Sequence, residues 1–109
     1  MSRFFPTSGE CGHHIIFENI PIITLAGEHL QMAVVDLPVD GVVEWHFHVN
    51  EQIGVLVSGQ ALFEIGDEKK TLNPGDLYCM PSNVPHRVTS IGGPARAIDV
   101  FYPIRDEYR

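Results

Sequence analysis

Basic side chains are few. Seven Lys and Arg stand against fourteen Asp and Glu, giving a formal net charge of −7. Such a surface repels a phosphate backbone, which argues against nucleic acid as a partner. A small anion can bind only where a local cation waits for it, so the position of each Lys and Arg is informative. Cysteine is equally scarce, with only Cys11 and Cys79. Two cysteines do not make a disulfide framework. Residues 1–10 lack the apolar stretch of a signal peptide, so reduced thiols in the cytoplasm are expected. No run of eighteen apolar residues occurs, so no membrane-spanning segment is expected. Sustained helical periodicity is also missing.

What is there is short and β-rich. At 109 residues with 44% apolar content, the chain is read as one domain, 1–109, with a single core. β-prone runs are expected at 20–25, 30–37, 42–47, 52–57, 61–65, 69–72, 77–80, 86–90 and 95–102. Between them lie Ser58-Gly59, Gly66-Asp67, Asn73-Pro74-Gly75-Asp76 and Gly92-Gly93-Pro94, which supply positive or preset φ. Many short strands with regular turns indicate an all-β sandwich or barrel. Charged residues make up only 19%. The run Ile53-Gly54-Val55-Leu56-Val57 is apolar on both faces, leaving one face to be covered by a second sheet or a subunit. Together these predict a homodimer. Cys79 reads as a buried, inert thiol on a strand. Cys11-Gly12-His13-His14 has the composition of a metal clip but no partner pair at zinc-finger spacing, so it reads as a solvent-facing N-terminal segment.

The histidines carry the chemistry. In Trp45-His46-Phe47-His48, strand alternation sends His46 and His48 to one face and the two aromatics to the other. Gln52 lies four residues on, again in even register, whereas Glu51 falls on the opposite face. His86 follows Pro81-Ser82-Asn83-Val84-Pro85 and comes from a different strand. Three neutral imidazoles suit one divalent transition metal: Ni, Zn, Fe, Mn, Cu or Co. With Gln52 as fourth ligand the protein adds no charge, so the ion stays strongly Lewis acidic and lowers the pKa of bound water.

The wider spacing is specific. From Gly41 the chain reads Gly-x4-His-x-His-x3-Gln-x6-Gly, and from Gly75 it reads Gly-x5-Pro-x-Asn-x2-His. These resemble the two motifs of the cupin superfamily, over a motif core of about 30–102. The chain departs from the pattern in three places. One residue fewer separates Gly41 from His46, Gln52 stands where Glu is usual, and Asn83 stands where Gly is usual. The resemblance implies a double-stranded β-helix, or jelly-roll barrel, with His46, His48, Gln52 and His86 on the metal.

The C-terminal strand narrows the field. Taken singly, Phe101 reads as core and Arg105 as a solvated tail residue. Asp99 differs, because an Asp inside an apolar strand must be paired, hydrated or functional. Asp99-Val-Phe101-x-Pro-x-Arg105-x-x-aromatic, with the His-x-His-x3-Gln run and the small size, resembles the KdgF-type cupins of pectin and alginate breakdown. That likeness implies opening of 4,5-unsaturated uronate monosaccharides to linear keto forms. It assigns chemistry to Gln52, Asp99 and Arg105, and binding of a small anionic sugar to Arg105 and Phe101. Two other classes stay open: an iron-dependent cupin dioxygenase, and a non-catalytic sugar- or metabolite-binding cupin.

Overall fold

A computed structural model describes residues 2–109. Ten strands account for nearly all of the regular structure: β1 (Gly12–Ile16), β2 (Ile20–Ala26), β3 (Gln31–Leu37), β4 (Val42–His46), β5 (Glu51–Ser58), β6 (Ala61–Ile65), β7 (Glu68–Leu72), β8 (Leu77–Met80), β9 (His86–Ser90) and β10 (Ala95–Tyr102). Two 3-10 turns, Ser8–Glu10 and Asp106–Tyr108, lie near the ends. Among the described residues no helix is long and apolar enough to cross a membrane.

The strands form two antiparallel sheets. One has six strands in the order β1-β2-β3-β10-β5-β8, the other four in the order β4-β9-β6-β7. This is the expected jelly roll. Alternation decides what each sheet turns inward. On β3 the residues Gln31, Ala33, Val35 and Leu37 are buried, and on β10 so are Ala95, Ala97, Asp99 and Phe101. Ile20, Ile22, Leu56 and Met80 join them from the same sheet, and Ala61, Phe63, Leu72 and Val88 close the core from the other. A fully buried Leu or Ile contributes about 1.5–3 kcal/mol through removal of apolar surface from water.

Turn chemistry is local. Asn83 adopts φ +63°, a conformation Asn tolerates better than other side chains, so it serves where Gly is usual. Gly59 sits at φ +78°, and a Cβ there would collide with the Pro94 carbonyl and Ala95.

The structure corrects the sequence reading in three places. Residues 12–16 form a strand rather than a solvent-facing segment. They pair with β2 from Gly12↔Thr24 to Ile16↔Ile20, with His14 and Ile16 half-buried. The weak contrast of Gly-His-His-Ile-Ile hid this edge strand. Cys79 is exposed, not buried. Met80 turns inward, so its neighbour faces out, and parity on β8 outweighs hydrophobicity. Finally, β4 stops at His46, so His48 belongs to the following loop and not to the strand.

Candidate functional site

Register brings the histidines together. β4 and β9 are antiparallel, and a bulge after Val43 places His46 opposite His86. His48 reaches the same point from the loop beyond β4. The ligand nitrogens of His46, His48 and His86 all lie within 4.8 Å of one another. They are therefore positioned to bind a metal ion.

Each ring is held by a nearby carbonyl. The Nδ1–H of His46 donates to the Glu44 carbonyl at 2.8 Å, that of His48 to Asn50 at 2.9 Å, and that of His86 to Val84 at 3.0 Å. All three tautomers thereby leave Nε2 as a free lone pair, the form a metal needs. Burial lowers the pKa of His46 and of His48, with Arg105 adding to the effect. Burial and then His46 push His86 down to about 4. The imidazoles are neutral at pH 7.

Gln52 completes the pattern, though not by continuous strand alternation from His48. A bend at Val49 and Asn50 separates them. The pairing of β5 with β8 and β10, Gln52↔Met80 and Gln52↔Phe101, turns Gln52 inward, 7% exposed, while Glu51 faces solvent. Its Oε1 stands 3.1 Å from His48 Nε2. With the His48 proton on Nδ1, two lone-pair atoms face each other. A cation between them relieves that repulsion, so this donor set fits a bound divalent metal. Gln52 also lowers the Asp99 pKa, which its amide N–H₂, the donor end, does by facing the carboxylate. Turning the amide over would set its oxygen against that carboxylate. The network holds one orientation.

Asp99 is 5% exposed and lines the same cavity as His46, His86, Gln52, Phe101 and Arg105. Burial raises its pKa to about 6, against the opposing hydrogen bonds from Tyr78 and Gln52. Tyr78 donates to Asp99 Oδ1 at 2.5 Å. Phe101 is buried, its ring inclined 70° to that of His48 with centroids 5.9 Å apart. Arg105 lies beyond β10 with its side chain 14% exposed, no solvated tail residue. Its guanidinium sits over Tyr108, 4.3 Å from the ring centre, and 5.7 Å from that of Phe101. It pairs with Glu107 at 3.0 Å. Buried Gln31 fixes its backbone from both sides, accepting from the Arg105 N–H at 2.9 Å and donating to the Arg105 carbonyl at 3.2 Å.

Sequence reasoning missed Tyr78, Gly54 and Gln31. One signal pointed to the first two: an isolated glycine inside an apolar strand marks a close approach by another group. Gln31 gave none, because its partner is 74 positions away. Cys11, His13 and His14 do not join a metal-ligand group; among the described residues only the three-histidine group has that geometry.

A family model described as "Cupin domain" matches residues 33–101. Among solved structures, an RmlC-like cupin from Shewanella frigidimarina superposes with TM-score 0.87 over 99% of this chain and 97% of its own, at 20% identity, a likeness of fold. KdgF from a Halomonas species superposes with TM-score 0.83 over 94% and 97%, at 28% identity. A DMSP lyase structure gives TM-score 0.73 at 26% identity, covering 92% of this chain and 55% of its own. No curated protein matches this sequence.

Proposed function

The chain belongs to the cupin family, and from that premise we propose that it opens 4,5-unsaturated uronate monosaccharides to linear keto forms, with one divalent metal held by His46, His48, His86 and Gln52. One observation carries the reading. A single cavity lined by His46 and His86 also presents a buried carboxyl with near-neutral pKa and a guanidinium, Asp99 and Arg105. The likeness to KdgF along both chains supports it.

Opening the ring moves one proton and no electrons overall. The anomeric O–H loses its proton, C1=O forms as the bond from C1 to the ring oxygen breaks, and the ring oxygen becomes a carbonyl as C4 gains a proton. Asp99 is the group placed to exchange these protons, since a carboxyl near pKa 6 both gives and takes at neutral pH. Arg105 pairs with the substrate carboxylate, displacing Glu107. Phe101 and Tyr108 fix the guanidinium. Gln52 orients Asp99 with its amide nitrogen while offering oxygen to the metal. A bound divalent cation supplies Lewis acidity at a coordinated substrate oxygen.

The test is Asp99→Asn with unsaturated uronate. Metal content and fold stay, while loss of the ultraviolet absorbance of the C4–C5 double bond stops. Unchanged turnover sinks the reading. Oxygen consumption would instead indicate a dioxygenase, and tight sugar binding without turnover or metal requirement a binding module.

The partner is proposed to be a second copy. On the outer face of the six-stranded sheet two cross-strand rows are apolar throughout: Ile23–Val34–Ile98–Val55–Leu77 and Leu25–Met32–Val100–Ile53–Cys79. Leu77 is 77% exposed and Ile53 52%. A contiguous apolar face of this kind marks an interaction surface. It lacks charge to attract an unlike partner, and sheets pack face to face at ~10 Å. Val100→Asp is expected to turn the proposed dimer into a monomer in sedimentation. A wild-type monomer at micromolar concentration overturns the proposal. The two free cysteines suit a reducing cytoplasm.

A further inference from the structure

Three neighbouring strands, β10, β5 and β8, place Asp99, Gly54 and Tyr78 side by side in one inward-facing row. Asp99 pairs with Gly54, and Gly54 with Tyr78. Adjacent strands are ~4.8 Å apart, so Asp99 and Tyr78 stand about 10 Å apart along the row, with β5 between them. Any side chain at position 54 would fill that space. A Cβ there would collide with both Asp99 Oδ1 and the Tyr78 hydroxyl. Glycine leaves the row open, and the phenol reaches across β5 to donate to Asp99 Oδ1 at 2.5 Å.

Tyr78 is itself held. Its ring lies 4.4 Å from that of Phe63, which comes from the opposite sheet. Burial raises its pKa, so it stays a proton donor and does not compete for the role of base. The Asp99 carboxyl is thus gripped by Tyr78, and the Gln52 amide shares its cavity. Its remaining lone pairs are left for the cavity.

We propose that Tyr78 is a positioning residue of this site: through the gap left by Gly54 it fixes the rotamer of the Asp99 carboxyl toward the reacting atoms. The proposal rests on the reading that Asp99 exchanges protons with the unsaturated uronate. A hydrogen bond made only to orient that group changes how fast bound substrate reacts, not how tightly it binds.

The experiment compares Tyr78→Phe, Gly54→Ala and Asp99→Asn in metal-loaded protein turning over unsaturated uronate, together with a crystal structure of Tyr78→Phe. Tyr78→Phe is expected to lower kcat by about tenfold or more, the scale of one charge-assisted hydrogen bond, with KM within about twofold and metal content unchanged. Gly54→Ala keeps the hydroxyl but blocks its path, and is expected to give the same split. In the Tyr78→Phe crystal the Asp99 carboxyl turns to another rotamer. An unmoved carboxyl, or a raised KM with unchanged kcat, overturns the proposal. If Gly54→Ala does not fold, the kinetics and crystal of Tyr78→Phe decide. Wild-type turnover by Asp99→Asn defeats the functional reading instead, and the rotamer still tests whether Tyr78 positions the carboxyl.

Discussion

The two poles of the cavity are held by different kinds of bond. At the imidazole pole each ring is fixed by a carbonyl only two residues away: Glu44 for His46, Asn50 for His48 and Val84 for His86. At the carboxyl pole Glu107 and Tyr108 flank Arg105 locally, but the buried hydrogen-bond partners are distant in sequence. Tyr78 grips Asp99 from 21 positions away, and Gln31 grips the Arg105 backbone from 74. At the first pole short chain segments set the ring orientations, while the β4–β9 register brings His46 and His86 together. At the second pole the side-chain grips themselves depend on the register of β3, β10, β5 and β8. A substitution at the first pole should therefore remove the metal, and one at the second should spoil the chemistry while the metal stays.

The largest expected effect breaks the first pole. His86→Ala removes the buried central imidazole, and elemental analysis should find metal affinity reduced by more than about 100-fold, since even outer-shell changes cost 10–100-fold. Near-full metal occupancy in that variant would contradict the assignment of the imidazole pole. Next is Asp99→Asn, which keeps the metal but lowers kcat by about 10²–10⁴, the usual contribution of a general acid or base.

The same variant sharpens the comparison through stability. Burial raises the Asp99 pKa from 3.8 to about 6 in the fold. Between these values the folded chain binds the extra proton, so stability falls as pH rises through that window. Above pH 6 the ionised carboxyl costs about 3 kcal/mol, with the hydrogen bonds already included in that shift. Asp99→Asn should therefore raise Tm by several degrees at pH 8 and by little at pH 4, measured calorimetrically on metal-free protein. An equal change at both pH values would show that Asp99 is not strained by burial.

Gln31→Leu tests the longest link. Losing both hydrogen bonds to the Arg105 backbone should raise KM by about tenfold with kcat nearly kept, from roughly 1–2 kcal/mol of lost positioning. Unchanged KM would separate Arg105 from substrate binding. The smallest effect belongs to Glu107→Gln. Glu107 is 59% exposed, so its pair with Arg105 contributes about 0–1 kcal/mol, and chemical denaturation should shift little. KM should fall slightly, because Arg105 is then free for the substrate.

Much of this site was legible in the sequence. Strand alternation grouped His46 and His48, and the resemblance to the cupin motifs added His86; the structure brings these three together. The same reasoning was partly right for the wrong reason. His48 lies beyond the end of β4, and Gln52 turns inward through its own pairing in β5, not through alternation carried over from His48. On β8 Cys79 reads as core from its residue type, yet it is exposed with Leu77, and Tyr78 faces the cavity. A four-residue strand has too little contrast to fix its own parity, and its pairing with β5 settles it.

By itself the sequence determined the fold class, the turns and the three candidate imidazoles, since these follow from residue type and motif spacing along the chain. Only the tertiary structure decided which face of each strand meets the cavity, and hence that Tyr78 crosses Gly54 to Asp99 and Gln31 holds Arg105. Those contacts join segments far apart in the chain. Their geometry follows from strand register, where a shift of one residue turns every side chain to the other face.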